Sequence, residues 1–134
     1  MSQMPPLPSP TAPTFPPKPG YVQAIAIMCL VDGILNILWG GSLGLGLLCS
    51  CFLAPCAPVG VYPIVLGILE IIYAAKLLPD PIRPTAPAQY LAIMQIINII
   101  TGDVVSLAIG IVSLVFYADA EVKAYFAAAG RQQI

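Results

Sequence analysis

Three carboxylic acids, Asp32, Glu70 and Asp103, stand in the middle of three long apolar stretches, and no Lys, Arg or His shares those interiors with them. A lone acid at the centre of a bilayer costs ~2.5–3.5 kcal/mol on insertion scales. Each must therefore be neutralised by a proton, solvated by water or a cation, or satisfied by another helix. Two chemistries fit. The acids could hold a helix bundle together by hydrogen bonds, alongside Asn36, Gln95 and Asn98. Alternatively, at similar depth, they could form a protonatable or cation-binding cluster that conducts or transports. The structural role is the leading expectation and the small proton or cation conductor is the alternative.

Helical spacing gathers the polar residues into faces. Asp32, Asn36, Gly40 and Gly44 recur every four residues and stack along one side of a helix. Gly67, Glu70 and Ala74 share a second face. Gly102, Ser106 and Gly110 form a small-xxx-small ridge, which Asn98 and Ser113 extend in both directions. Small residues let backbones approach closely where no hydrophobic effect operates between helices, so these faces are expected to meet each other or a partner. Nine Ile, Leu and Val residues between Val22 and Leu38 supply together ~4 kcal/mol of insertion, and Asp32 alone takes back ~3. With so thin a margin the polar face must be covered, by the chain's other helices or by another protein.

The elements that position these faces follow from composition. With 59% hydrophobic and 8% charged residues and a mean hydropathy of +0.93, the chain has too little polar surface to cover a soluble globule, so lipid must cover the rest. A net charge of −1 offers no field for nucleic acid. Residues 1–20 are rich in Pro and read as a flexible tail; they lack the pattern of a secretory signal, so the first apolar block is expected to remain as an anchor. That block, about 21–55, exceeds one span and falls short of two. The second runs over about 59–78 and closes on Lys76 and a Pro-rich loop with Asp80 and Arg83. The third, about 88–118, would leave two pieces too short to cross if it broke at Gly102–Asp103, and is read as one span. Residues 119–134 form an interfacial amphipathic tail, with Asp119 as cap and Gly130 as stop.

The fold expected is thus all-α, an integral membrane bundle of three transmembrane helices with a short amphipathic C-terminal helix; a four-span alternative folds the first block back at Gly40-Gly41-Ser42. With three spans Lys18, Lys76 and Arg83 face Lys123 and Arg131, which by the positive-inside rule puts the N-terminus in the cytoplasm by three cations to two.

Cys49, Cys51 and Cys56 cluster after the first block. They either pair, as in a disulfide from Cys51 to Cys56, or are small apolar residues of a membrane helix. With no His in the chain, the commonest haem ligand and catalytic base are missing, and no phosphate loop or nucleophile motif appears. The expectation is a protein that is not an enzyme and has no cofactor or metal of its own.

The runs VLGILEIIYAAKLLPD (65–80) and AIMQIINIITGDVVSLAIGIVSLVFYADAEVKAYF (92–126) resemble small uncharacterised bacterial multi-span membrane proteins that end in a comparable acidic-aromatic helix. The resemblance implies a bacterial inner membrane and no activity. The layout of DGILNILWG (32–40) followed by GILEIIYAAKLL (67–78) is similar to CD20-like tetraspan proteins. The function expected is a structural or accessory subunit of a larger membrane protein complex, whose partners are lipid and other membrane subunits or further copies of itself.

Overall fold

The computed structural model describes residues 17–50, 54–79 and 85–131. Most of the Pro-rich tail, Cys51, the Asp80–Arg83 part of the loop and the last three residues lie outside them, so neither the tail's flexibility nor the Cys51–Cys56 pairing is described. Among the described residues every regular element is helical. Helix α1 runs Gly20–Cys49; a 3-10 segment over Ala54–Gly60 leads into α2, Val61–Leu77; α3 is Gln89–Ile97, tightening into a 3-10 turn over Asn98–Thr101; α4 is Val104–Ala118 and α5 is Ala120–Gly130. Two stretches, Gly20–Cys49 and Pro58–Leu77, are each long and apolar enough to cross a membrane by themselves.

The third apolar block, read above as one span, is not one helix. It breaks where the sequence changes chemistry. Gly102 takes the left-handed conformation at φ 86° and closes the turn through its N–H to the Ile99 carbonyl, at 2.9 Å. Asp103 then caps α4, its Oδ1 accepting from the amides of Val105 and Ser106 at 3.0 and 3.1 Å. A non-helical turn inside an apolar stretch needs partners for its backbone. Here Thr101 Oγ1 donates to the Asn98 carbonyl and the Trp39 indole N–H donates to the Thr101 carbonyl, at 2.7 and 3.3 Å. Nine residues of α3 with the four-residue turn, and fifteen of α4, rise only about 20 Å each. The pair is therefore a helical hairpin shorter than α1.

Contacts define how the four helices run. Gly33 meets Gly67 and Gly40 meets Gly60, so α1 and α2 are antiparallel. Asp32 meets Gln95 and Asn36 meets Asn98, so α3 runs with α1, and α4 returns with Gly110 against Ala92 and Gln95. The result is an up-down-up-down bundle. The fourth helix comes from the break at Gly102–Asp103, while α1 is continuous through Gly40-Gly41-Ser42. Helix α5 turns 76° away from α4. It lies across the end of the bundle that carries the start of α1, packing Phe126 on Tyr117 at 5.9 Å between ring centroids, with Val122 and Ala129 buried. Because of that turn, α4 and α5 are two helices and not one continuous rod. Asp119 Oδ1 caps α5 by accepting from Glu121 N at 2.8 Å.

One consequence is electrostatic. Lys18 donates to the carbonyls of Leu77 and Leu78 at the end of α2. Lys76 borders the loop that enters α3, Lys123 sits beside Pro87 and Gln89, and Arg131 ends α5. The described cations thus gather at one end of the bundle. The expected division, Lys18 and Lys76 on one face against Lys123 and Arg131 on the other, does not hold, because the hairpin brings α4 back to the end from which α3 started.

Candidate functional site

The three acids converge. Asp32 is on α1, Glu70 on α2 and Asp103 at the head of α4, and all lie in one network that also draws in α3. Asp32 Oδ2 accepts from Gln95 Nε2 at 2.9 Å and Asp32 Oδ1 from Ser106 Oγ at 3.0 Å. Asn36 is the hub. It donates through Nδ2 to Glu70 Oε2 at 3.0 Å and accepts at Oδ1 from Asn98 Nδ2 at 2.7 Å. Asn98 Nδ2 and Ser106 Oγ also approach Asp103 Oδ2, at 3.4 and 3.1 Å. Asp32, Asn36, Glu70, Gln95, Asn98 and Ser106 are wholly buried, and Asp103 is 9% exposed.

Close backbone approach makes this possible. A Cβ on Gly33 would sit 2.7 Å from the Gly67 carbonyl oxygen, and one on Gly110 would sit 2.7 Å from the Ala92 carbonyl oxygen. These are backbone atoms that cannot swing aside, so α1 touches α2, and α3 touches α4, through glycine. With the helices this close, short side chains such as Asn and Ser reach across. Each such pair forgoes its bonds to water only once, on burial, and would cost ~1–3 kcal/mol if left unmade.

Most residues singled out from spacing fall where their faces meet. Asp32, Asn36 and Gly40 are buried on α1, and Gly44 lies against Gly60. Gly67, Glu70 and Ala74 are buried on α2, and Ser106, Gly110 and Ser113 on α4. Gly102 is placed differently: it belongs to the turn before α4 and not to the ridge on it. The polar and small faces meet within the chain.

Four contributors were not singled out from spacing. Gly33 and Gly60 are contact residues whose signal was available, since Gly33–Gly40 and Gly60–Gly67 repeat the same seven-residue step on both helices and align when these run antiparallel. Tyr73 forms a smaller polar site near the other end. Its hydroxyl accepts from the Ala88 amide at 3.2 Å and from the Tyr117 hydroxyl at 3.0 Å. Nothing in the periodicity distinguishes such a tyrosine from a packing residue. Tyr62 likewise ties α2 to α3 by donating to the Met94 carbonyl at 2.9 Å.

A cavity of 280 Å³ opens on the network from the side of the hairpin turn, lined by Leu35, Leu38, Trp39, Ser42, Asp103 and Val105. Of the network residues, Asp103 is the one that lines it. Of the cysteines described, Cys29 is buried in α1, while Cys49 and Cys56 are exposed. Comparison with known protein families, characterised proteins and solved structures finds no match.

Proposed function

We propose that this chain is an integral membrane protein that catalyses no reaction and serves as a structural or accessory subunit within a larger membrane assembly. The observation that carries the reading is an inverted distribution of polarity. The carboxylates, carboxamides and hydroxyl of the network, Asp32, Asn36, Glu70, Gln95, Asn98, Asp103 and Ser106, are buried, whereas Leu38, Leu45, Val104 and Val115 are each more than 60% exposed and Ile100 reaches 81%. Water is a poor solvent for such an exterior and hydrocarbon a good one. The acids' partners are the chain's own Asn, Gln and Ser side chains, which is the arrangement that helix-to-helix cross-linking requires.

Orientation follows from the gathered cations. Lys18, Lys76, Lys123 and Arg131 mark one end, and the α1–α2 connection and the hairpin turn carry no Lys or Arg in sequence. Positive-inside then places both ends of the described chain in the cytoplasm, whether or not the short hairpin crosses the bilayer fully. On the resemblance stated above, the membrane is the inner membrane of a bacterium.

The assembly role draws support from α1. Its last turns run past the short hairpin and leave Gly41, Leu45, Gly46 and Leu48 uncovered, a surface onto which a neighbouring transmembrane helix fits. Native mass spectrometry of the chain extracted in a gentle detergent tests this. A discrete partner at fixed stoichiometry is the expected result. A homo-oligomer that carries proton or cation flux in liposomes would favour the conductor instead, a reading to which the cavity at Asp103 lends its weight.

A further inference from the structure

At one place the polar network runs short of hydrogens. Glu70 Oε1 and Gln95 Oε1 are buried and have no hydrogen-bond partner, although both side chains are completely inaccessible. Glu70 lies within reach of both Asp32 and Gln95. Gln95 aims its amide at Asp32 Oδ2, at 2.9 Å, and no donor of the network is bonded to Glu70 Oε1. Exchanging the amide atoms of Gln95 does not help, because it takes the donor away from Asp32. Ser106 cannot supply it either: its single hydroxyl hydrogen is already contested by Asp32, Asn36 and Asp103 oxygens at 3.0, 3.2 and 3.1 Å.

We infer that Asp32 and Glu70 form a binding site for a single proton, carried on Glu70 Oε1 and donated to the Asp32–Gln95 side of the network. The inference goes beyond the proposed role and holds for a subunit and for a conductor alike, since it depends on burial inside the bundle. With the proton in place Glu70 Oε1 becomes a donor and is no longer a buried acceptor without a partner. Asp32 keeps its charge, steadied by Gln95 Nε2 and Ser106 Oγ, and Glu70 Oε2 keeps the hydrogen bond from Asn36. The titratable groups around the pair are of the same sign or neutral: Cys29 from α1, Tyr62 from α2 itself and Asp103 from the head of α4, while α3 presents Gln95. Lys18, Lys76 and Lys123 are at the end of the bundle, where they cannot neutralise a second buried charge. Ser106 joins Asp32 to Asp103, and Asp103 lines the 280 Å³ cavity, so the network extends from the pair toward the hairpin turn.

Infrared spectroscopy of the full chain in lipid at neutral pH reads this proton directly, through the carbonyl stretch of a protonated carboxylic acid. The chain has two glutamates, Glu70 and the exposed Glu121. The expected result is a band that moves by its isotope shift when glutamate side chains carry carbon-13, stays when aspartate does, and disappears in Glu70→Gln. That variant supplies an amide N–H where the proton stood, so it folds with an unchanged thermal midpoint. A folded wild-type protein without the band would overturn the inference, and so would a band that follows the aspartate label or survives in folded Glu70→Gln. The isotope arm needs no substitution and keeps the test open should the variant fail to fold.

Discussion

Gly67→Leu is expected to take the bundle apart. A Cβ at this position would collide with the Gly33 carbonyl oxygen and press within 3.0 Å of both Asn36 Cβ and Ile37 Cγ1. Forcing bulk into a packed interior costs ~1–3 kcal/mol when side chains can yield. Here the obstacle is the backbone of another helix, and the contact is the same one that brings Asn36 to Glu70. The loss is therefore put at the top of that range, about 3 kcal/mol. Loss of helical circular dichroism on heating in detergent measures it. Gly41→Leu serves as the control, because a Cβ there meets nothing within 4 Å. Equal midpoints for the two variants would mean that α1 and α2 do not touch through Gly33 and Gly67.

The second large effect lies at the network's hub. Asn36→Leu removes the donor to Glu70 Oε2 and the acceptor for Asn98 Nδ2 in one change. Hydrogen bonds between membrane helices average only ~0.6 kcal/mol, because the separated helices also find partners. What decides the magnitude is the group left behind. Asn98 retains longer contacts to Asp103 and Ser106, at 3.4 and 3.3 Å, whereas Glu70 is left with neither oxygen bonded to a side-chain donor of α1. Stranding a buried polar group costs ~1–3 kcal/mol, so a destabilisation of about 3 kcal/mol is expected. A double variant, Asn36→Leu with Glu70→Leu, removes both partners and should be less destabilised than the two single changes added together. Simple additivity in thermal unfolding would show that the pair is not coupled.

Much of this was legible in the residues, and the part that was not has one cause. The apolar blocks, the faces built on Asp32 and Glu70 and the cap at Asp119 are local patterns that depend on periodicity and on single side chains. The hairpin is different. Gly102 followed by Asp103 is a stop signal and a start signal side by side, but the rule that a spanning helix needs about 20 residues argues against a break there. That rule holds for a helix exposed to lipid throughout. It loses force when two short helices lean on longer neighbours and when Trp39, Thr101 and Asp103 satisfy the turn from within the protein. Orientation was obscured for the same reason. Without the break the cations divide almost evenly, and with it those described stand at one end. Gly33 and Gly60 were missed because attention to four-residue spacing hides a seven-residue one.

The central claim is that this bundle sits in hydrocarbon with its carboxyl groups enclosed. The chain has a single tryptophan, Trp39, which is 44% exposed and stands beside the hairpin turn and Asp103. Fluorescence quenching of the unmodified protein in liposomes tests the claim most directly. Lipids brominated on their acyl chains are predicted to quench Trp39 while iodide in the aqueous phase leaves it bright. Efficient quenching by iodide together with indifference to the brominated chains would contradict the account.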